Sequence, residues 1–250
     1  ETRFDYWKRM EFTGEQWAGL KSHCEEKGLE FISSPFSCAA VDLLENLGVS
    51  TYKIGSGEVS NLLMLEKIAR TGKKIILSSG MSSLDELDST IEFLKPFGNH
   101  LSVMQCTTAY PTVAGQWGLS QIQVLKERYG LPTGFSDHSG NIFACLAATA
   151  LGASILEFHT VFDKNMFGPD AKASLTISEI SKLVQGVNEI TKDLHSEINK
   201  ESSESFADLK KIFQKSLAVN KDLEAGHIIT IDDLESKKPA GYGINAGDFK

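Results

Sequence analysis

Pro132-Thr-Gly-Phe-Ser-Asp-His138, the apolar helical stretch Ile142–Leu151 and Ile155-Leu-Glu-Phe-His159 follow one another, and this succession decides the fold. The runs Pro132–Phe135 and Ile155–Phe158 read as strands. A helix between two strands leaves no room for a hairpin return, so the strands lie parallel. Polar residues follow each strand at once: Ser136-Asp137-His138 after the first, His159-Thr160 after the second.

The same rhythm extends toward the N-terminus. Candidate strands Glu30–Ser33, Thr51–Ile54, Ile75–Ser78 and Leu101–Gln105 alternate with helical stretches Gly14–Lys27, Ala39–Leu47, Leu62–Thr71, Ser83–Lys95 and Ser120–Arg128. Repeats of roughly 20 to 30 residues predict βα units and a parallel sheet, hence the α/β class. Ser34-Pro35-Phe36, Gly55-Ser56-Gly57-Glu58, Ser79-Gly80-Met81 and Cys106-Thr107-Thr108 occupy the ends of these strands. Sites form at that end in barrels and open α/β sheets alike. A closed barrel takes about eight units; six are read here, and the chain opens on Glu1 without Met, as the middle of something longer.

Beyond the last long helical stretch, Ile177–Ile198, the composition changes. Residues 1–198 form the βα part, the polar stretch 199–213 reads as a linker, and 214–250 read as the opening of a small β-rich domain. That last part holds Ser216–Val219, the turn Glu224-Ala-Gly-His227, Ile228–Thr230, the capped Thr230-Ile-Asp-Asp-Leu234, and Lys238-Pro-Ala-Gly-Tyr-Gly243.

A net charge of −8 over 250 residues, with no basic cluster, argues against a nucleic-acid groove or an anionic membrane surface and favours a small-molecule partner. Four widely spaced cysteines without a C-x-x-C pair fit reduced thiols and a cytoplasmic protein. With no apolar run near 18 residues and no charged-then-apolar leader, neither a membrane span nor a signal peptide is expected. G-x-G-x-x-G and P-loop patterns are absent, so a nucleotide site has no support.

His138 and His159, just past consecutive strands, suit a divalent ion with open positions for water and substrate; histidines at strand ends also serve as hydrogen-bonded structural groups. In Lys53-Ile-Gly-Ser-Gly-Glu58, Lys53 supplies charge while Ser56 and the turn amides approach an anion, or Lys53 is simply paired with Glu58. Ser78, Ser79 and Ser136 add hydroxyls at neighbouring strand ends. Asp170, after Gly168-Pro169, reads either as a reader of sugar hydroxyls or as an ordinary turn residue. Tyr110-Pro111 is a loop anchor or a substrate contact, while Cys106 and Cys145 read as small buried residues.

Taken together, Phe31-Ile-Ser-Ser-Pro-Phe36, Tyr52-Lys-Ile-Gly-Ser-Gly-Glu58, Ile76-Leu-Ser-Ser-Gly-Met81, Gln105-Cys-Thr-Thr-Ala-Tyr-Pro111, Gly134-Phe-Ser-Asp-His138, Glu157-Phe-His159 and Gly168-Pro-Asp-Ala-Lys-Ala-Ser174 resemble, in order and spacing, the sialic acid synthase family of N-acetylneuraminate, legionaminate and pseudaminate synthases. The resemblance implies a (β/α)8 TIM barrel, here strands 3 to 8, followed by the start of an antifreeze-like (SAF) domain. It implies condensation of phosphoenolpyruvate with an N-acetylmannosamine-like amino-sugar aldehyde, giving a nine-carbon 2-keto acid sugar and phosphate. By the same resemblance His138 and His159 match metal ligands, Mn2+ first, with Mg2+ or Co2+ as alternatives. Ser34, Lys53, Ser56, Ser78, Thr108 and Ser136 match groups that hold phosphoenolpyruvate, and Glu58, Tyr110, Asp170 and Lys238 match groups facing the sugar. Lys53, Glu58, His138 and His159 match the catalytic set. A homodimer with exchanged C-terminal domains is also implied.

The chain departs from the family pattern in places. Thr108 replaces an Asn, Phe158 replaces an Arg, and Lys238-Pro239 stands for an Arg-Pro whose planar fork lysine lacks. The first two family strands have no counterpart, so the full-length gene product is expected to be the enzyme and the isolated segment to be weakly stable and inactive. The rival expectations are another phosphoenolpyruvate-dependent synthase on the same barrel, such as a deoxy-octulosonate synthase, and a non-catalytic sugar-binding barrel.

Overall fold

A computed structural model describes residues 1–196, 198 and 200–249. They form two compact units, Glu1–His195 and Ser196–Lys250. The first runs α1 (Arg3–Met10), α2 (Gly14–Glu26), α3 (Cys38–Leu47), β1 (Thr51–Ile54), α4 (Leu62–Ala69), β2 (Lys74–Ser78), α5 (Leu84–Leu94), β3 (Leu101–Cys106), α6 (Ser120–Tyr129), β4 (Thr133–Asp137), α7 (Phe143–Ala150), β5 (Ile155–Val161), β6 (Ser174–Thr176) and α8 (Ile177–Leu194). The strands make one parallel sheet in sequence order.

Two features differ from the expected strands. Glu30–Ser33 makes only a single bridge, Ser33 to Tyr52, and Pro35, two residues on, has no backbone donor to extend it. The sixth strand is instead Ser174–Thr176, which pairs with His159–Val161. It is too short to carry a period of its own.

Alternation along the strands sorts the sheet into two faces. Tyr52, Ile54, Ile75, Leu77 and Val103 are fully buried and pack against Val41 and Leu44 of α3, Met64, Leu65 and Ile68 of α4, and Leu87 and Ile91 of α5. Phe135 leads a second cluster with Ile122, Ala144, Cys145, Ala148 and Leu183. The Tyr52 hydroxyl donates to Glu45 at 2.5 Å inside the first cluster, and desolvation pushes its pKa up. Lys53, Ser78, Met104, Cys106, Ser136, Glu157 and His159 are left on the opposite face.

That face is concave. Strands β1 and β5 are four ladder steps apart, about 19 Å in a flat sheet, yet Lys53 Nζ lies 3.2 Å from Glu157 Oε1. One lysine and one glutamate span that gap only if the sheet curls, which gives an α/β half-barrel consistent with a partial (β/α)8 barrel.

In the second unit, β7 (Ser216–Val219) and β8 (Leu234–Lys237) pair antiparallel. Before them, α9 (Ala207–Phe213) lies inside the stretch expected to be linker; Leu209, Ile212 and Phe213 recur at helical spacing. Asn199, where that linker was expected to begin, lies outside the described residues. The buried Asp233 carboxylate accepts from Lys221, His227 and both Thr230 donors. These hydrogen bonds, Lys221's first, hold it well below the usual carboxylate range.

Candidate active site

Two contiguous cavities open on the concave face at the strand ends. One, of ≈ 300 Å³, is walled by Lys53, Ser56, Ser78, Thr108 and Ser136 among others. The other, of ≈ 580 Å³, is lined by Ser34, Ile76, Met104, Glu157 and His159 among others. Lys53, Tyr110, His138 and Glu157 belong to both, so they form the wall where the two meet.

The small cavity is rich in hydroxyls. The Ser56 Oγ accepts the Gly80 N–H at 3.1 Å, a contact that needs glycine, because a Cβ at position 80 would stand 2.9 Å from that oxygen. Ser79 donates to the Met104 carbonyl at 2.7 Å. Ser78, by contrast, is fully buried and its Oγ has no hydrogen-bond partner. Such a group costs about 1–3 kcal/mol unless something bonds to it. Ser136 donates to Glu157 Oε1 at 2.7 Å, the oxygen that also faces Lys53. The alternative pairing of Lys53 with Glu58 does not occur; Glu58 accepts from Asn61 Nδ2 at 2.8 Å and lines neither cavity.

The histidines meet at the shared wall. Ring centroids of His138 and His159 are 5.1 Å apart, with Tyr110 4.1 Å from the first and 5.7 Å from the second. Two imidazoles bound through about 2.1 Å bonds to one ion, at angles between roughly 90° and 110°, put their centroids about 4.6–5.3 Å apart. The observed spacing falls in that window. His138 Nε2 contacts the Tyr110 hydroxyl and Nδ1 contacts Thr107 Oγ1, both at 2.8 Å. Burial, then the neighbouring His159, lowers the His138 pKa and so disfavours the charged ring; a metal takes the neutral form. Among the described residues no cluster of three His, Cys, Asp or Glu able to hold an ion exists, so the pair would leave the remaining positions to water and substrate.

The loop after β5 closes toward His159. Asp170 Oδ2 lies 3.9 Å from His159 Nδ1. The loop is tied to the β4 turn at Gly140, which has φ +69° and whose Cβ, if present, would stand 2.3 Å from the Lys172 carbonyl. Lys164 Nζ adds a bond to the Gly140 carbonyl at 2.7 Å. Phe158 packs beside the Phe135 cluster and also borders the larger cavity. Lys238 belongs to the second unit, its Nζ 4.9 Å from the Phe213 ring centroid.

Sequence reasoning overlooked two members of the site, Glu157 as the partner of Lys53 and Thr107 as the partner of His138. The period-2 parity of β5 places Glu157 on the same face as His159, a signal that was present in the sequence.

The chain is similar to known proteins along most of its length. The chain is 38% identical over 98% of its length to an N,N'-diacetyllegionaminic acid synthase of Campylobacter jejuni, covering 74% of that protein. It is 33% identical to the N-acetylneuraminate-9-phosphate synthase of Homo sapiens over 97% of this chain and 68% of the relative. Among solved structures, N-acetylneuraminic acid synthetase from Leptospira borgpetersenii superimposes with TM-score 0.75 at 32% identity, over 81% of this chain and 70% of that one. A model described as the NeuB family matches residues 1–199. The chain therefore belongs to the NeuB family.

Proposed function

We propose that the full-length gene product joins phosphoenolpyruvate to an open-chain amino-sugar aldehyde, giving a nine-carbon 2-keto acid sugar and phosphate. One observation carries this reading: a hydroxyl-rich cavity with a lysine and an unpartnered buried Ser78 opens directly onto a facing pair of imidazoles. The first suits an anion and the second a carbonyl oxygen, the two groups that must meet when an enol phosphate attacks an aldehyde.

Lys53, Ser56, Ser78, Thr108 and Ser136 hold the phosphate and carboxylate, with Ser34 at the edge of the larger cavity. Lys53 and Ser136 must exchange Glu157 for the substrate anion, so Glu157 keeps both groups aimed into the cavity until then. Tyr110 and Asp170, on loops beside the histidines, face the sugar; Glu58 joins them only by leaving Asn61. In the reaction C3 of phosphoenolpyruvate bonds to the aldehyde carbon, water adds at C2, and the C–O bond to phosphate breaks.

His138 and His159 would hold a divalent ion, whose charge would polarise the aldehyde oxygen. Imidazole donors favour Mn2+ or Co2+ over Mg2+, which prefers oxygen. Relatives that make legionaminic acid support an unphosphorylated diacetamido or N-acetylmannosamine-like sugar. An exchanged-domain homodimer, an antifreeze-like C-terminal domain and a cytoplasmic setting complete the proposal; the four free cysteines support the last. No described helix is long and apolar enough to cross a membrane.

The test is phosphate release by the full-length gene product from phosphoenolpyruvate with N-acetylmannosamine, its diacetamido analogue or arabinose 5-phosphate. An amino sugar is expected to support turnover and arabinose 5-phosphate to fail. His138→Ala should abolish metal-dependent turnover, and unchanged turnover in that variant would sink the reading.

A further inference from the structure

Thr107 stands at the first position after β3, is buried, and was not among the residues expected to touch a ligand. Its N–H donates to the Ser136 carbonyl at 3.0 Å, which latches the end of β3 to β4. Its Oγ1 has three neighbours: the His138 backbone N–H at 3.0 Å, His138 Nδ1 at 2.8 Å and the Ser136 carbonyl at 3.3 Å. A hydroxyl has one proton to give. The backbone N–H can only donate and the carbonyl can only accept. All three contacts are therefore hydrogen bonds in one arrangement alone: the hydroxyl donates to Ser136, and Nδ1 carries a proton that it gives to Oγ1. If the hydroxyl instead donated to Nδ1, the contact with the Ser136 carbonyl would contain no proton.

The consequence falls on the other ring nitrogen. With the proton on Nδ1, Nε2 holds the lone pair and receives the Tyr110 hydroxyl at 2.8 Å. Free histidine side chains prefer the opposite tautomer, so the protein has to impose this one. We propose that Thr107 is a positioning residue that locks His138 as the Nδ1–H tautomer, with its ring fixed and the Nε2 lone pair presented at the shared wall of the two cavities. Because one side chain binds both the ring and the backbone of His138, it sets both where the residue sits and which nitrogen carries the lone pair. The link to metal binding rests on the function proposed above; the tautomer does not. Partners that orient a ligating histidine typically contribute about 10–100-fold in metal affinity.

The experiment uses the full-length gene product labelled with 15N-histidine, freed of metal by chelation, at alkaline pH where the ring is neutral. The His138 signals are assigned by their loss in His138→Asn. Long-range 1H–15N spectra are expected to show a pyridine-type Nε2 and a pyrrole-type Nδ1 in the wild type and in Thr107→Ser, and a shift toward Nε2–H in Thr107→Val. Mn2+ affinity, read by electron paramagnetic resonance, is expected to fall about 10–100-fold in Thr107→Val and to stay within about threefold in Thr107→Ser. Nε2–H in the wild type, or an unaltered pattern in folded Thr107→Val, overturns the proposal. If the valine variant does not fold, the wild-type and serine spectra decide alone. The expected tautomers in a protein that binds no Mn2+ would uphold the role of Thr107 and remove the metal reading instead.

Discussion

Replacing Ser78 by alanine separates a structural hydroxyl from one kept for a ligand, because the two roles predict opposite signs. Ser78 is fully buried at the end of β2 and its Oγ is unpartnered, while its neighbour Ser79 is bonded to the Met104 carbonyl. A buried hydroxyl without a partner costs about 1–3 kcal/mol. Removing it returns that cost, less a small loss of packing where the oxygen was, for a net gain near 1 kcal/mol and a rise of about 2–4 °C in Tm for a chain of this size. If phosphoenolpyruvate supplies the missing acceptor, the same change deletes a hydrogen bond to a charged group. Such a bond is worth about 1.5–3 kcal/mol, or roughly 10- to 150-fold in Kd. Thermal unfolding without ligand and calorimetric titration with phosphoenolpyruvate measure the two terms independently. Ser79→Ala is the control: it should lower Tm and leave Kd within about twofold. A Ser78→Ala protein that loses stability and binds phosphoenolpyruvate as tightly as the wild type would refute the reasoning.

Two further outcomes follow from local geometry. Gly140→Ala drives a Cβ into the Lys172 carbonyl at a positive φ and should cost more than about 2 kcal/mol in chemical denaturation, whereas Gly28→Ala, at φ +72° with open space around it, should cost only about 1 kcal/mol. The Arg128 guanidinium on α6 binds Asp88 of α5 and, chiefly by that hydrogen bond, lowers its pKa to about 2. A carboxylate depressed in the folded state contributes stability above its unfolded pKa, near 4, and loses it as pH falls toward 2. Arg128→Gln should return Asp88 to the ordinary range in a 13C-detected NMR titration and flatten the acid limb of stability between about pH 4 and 2. An unshifted Asp88 would contradict the pairing.

The βα order and the residues at the strand ends were legible in the sequence because both are local. A strand needs only a few apolar residues and a helix a period of about 3.6, and polar residues just past a strand lie at the same end of any parallel sheet. Hence Lys53, Ser56, Ser78, Ser136, His138 and His159 could be nominated one by one. What joined them was less visible. The pairing of Lys53 with Glu157 depends on how far the sheet curls, and no short window of sequence encodes that. Glu58 failed as the partner for the matching reason: five residues away in sequence, it lies on the turn Ser56–Glu58, where Asn61 takes its carboxylate. Strand Ser174–Thr176 was missed because three residues give no alternation to read, and its place is set by pairing with His159–Val161.

Glu157 shows how the two kinds of information combine. Parity alone puts it on the concave face between Ile155 and His159, and the β4–β5 register sets it opposite Ser136. Only the curl brings Lys53 across from β1 to the same oxygen. A carboxylate held by a lysine and a serine uses the two donors that, on the function proposed above, a bound phosphate or carboxylate would take over. Glu157 and His159 lie two residues apart on one face of β5, so the carboxylate that holds the Lys53 ammonium and the second imidazole are placed by the same strand.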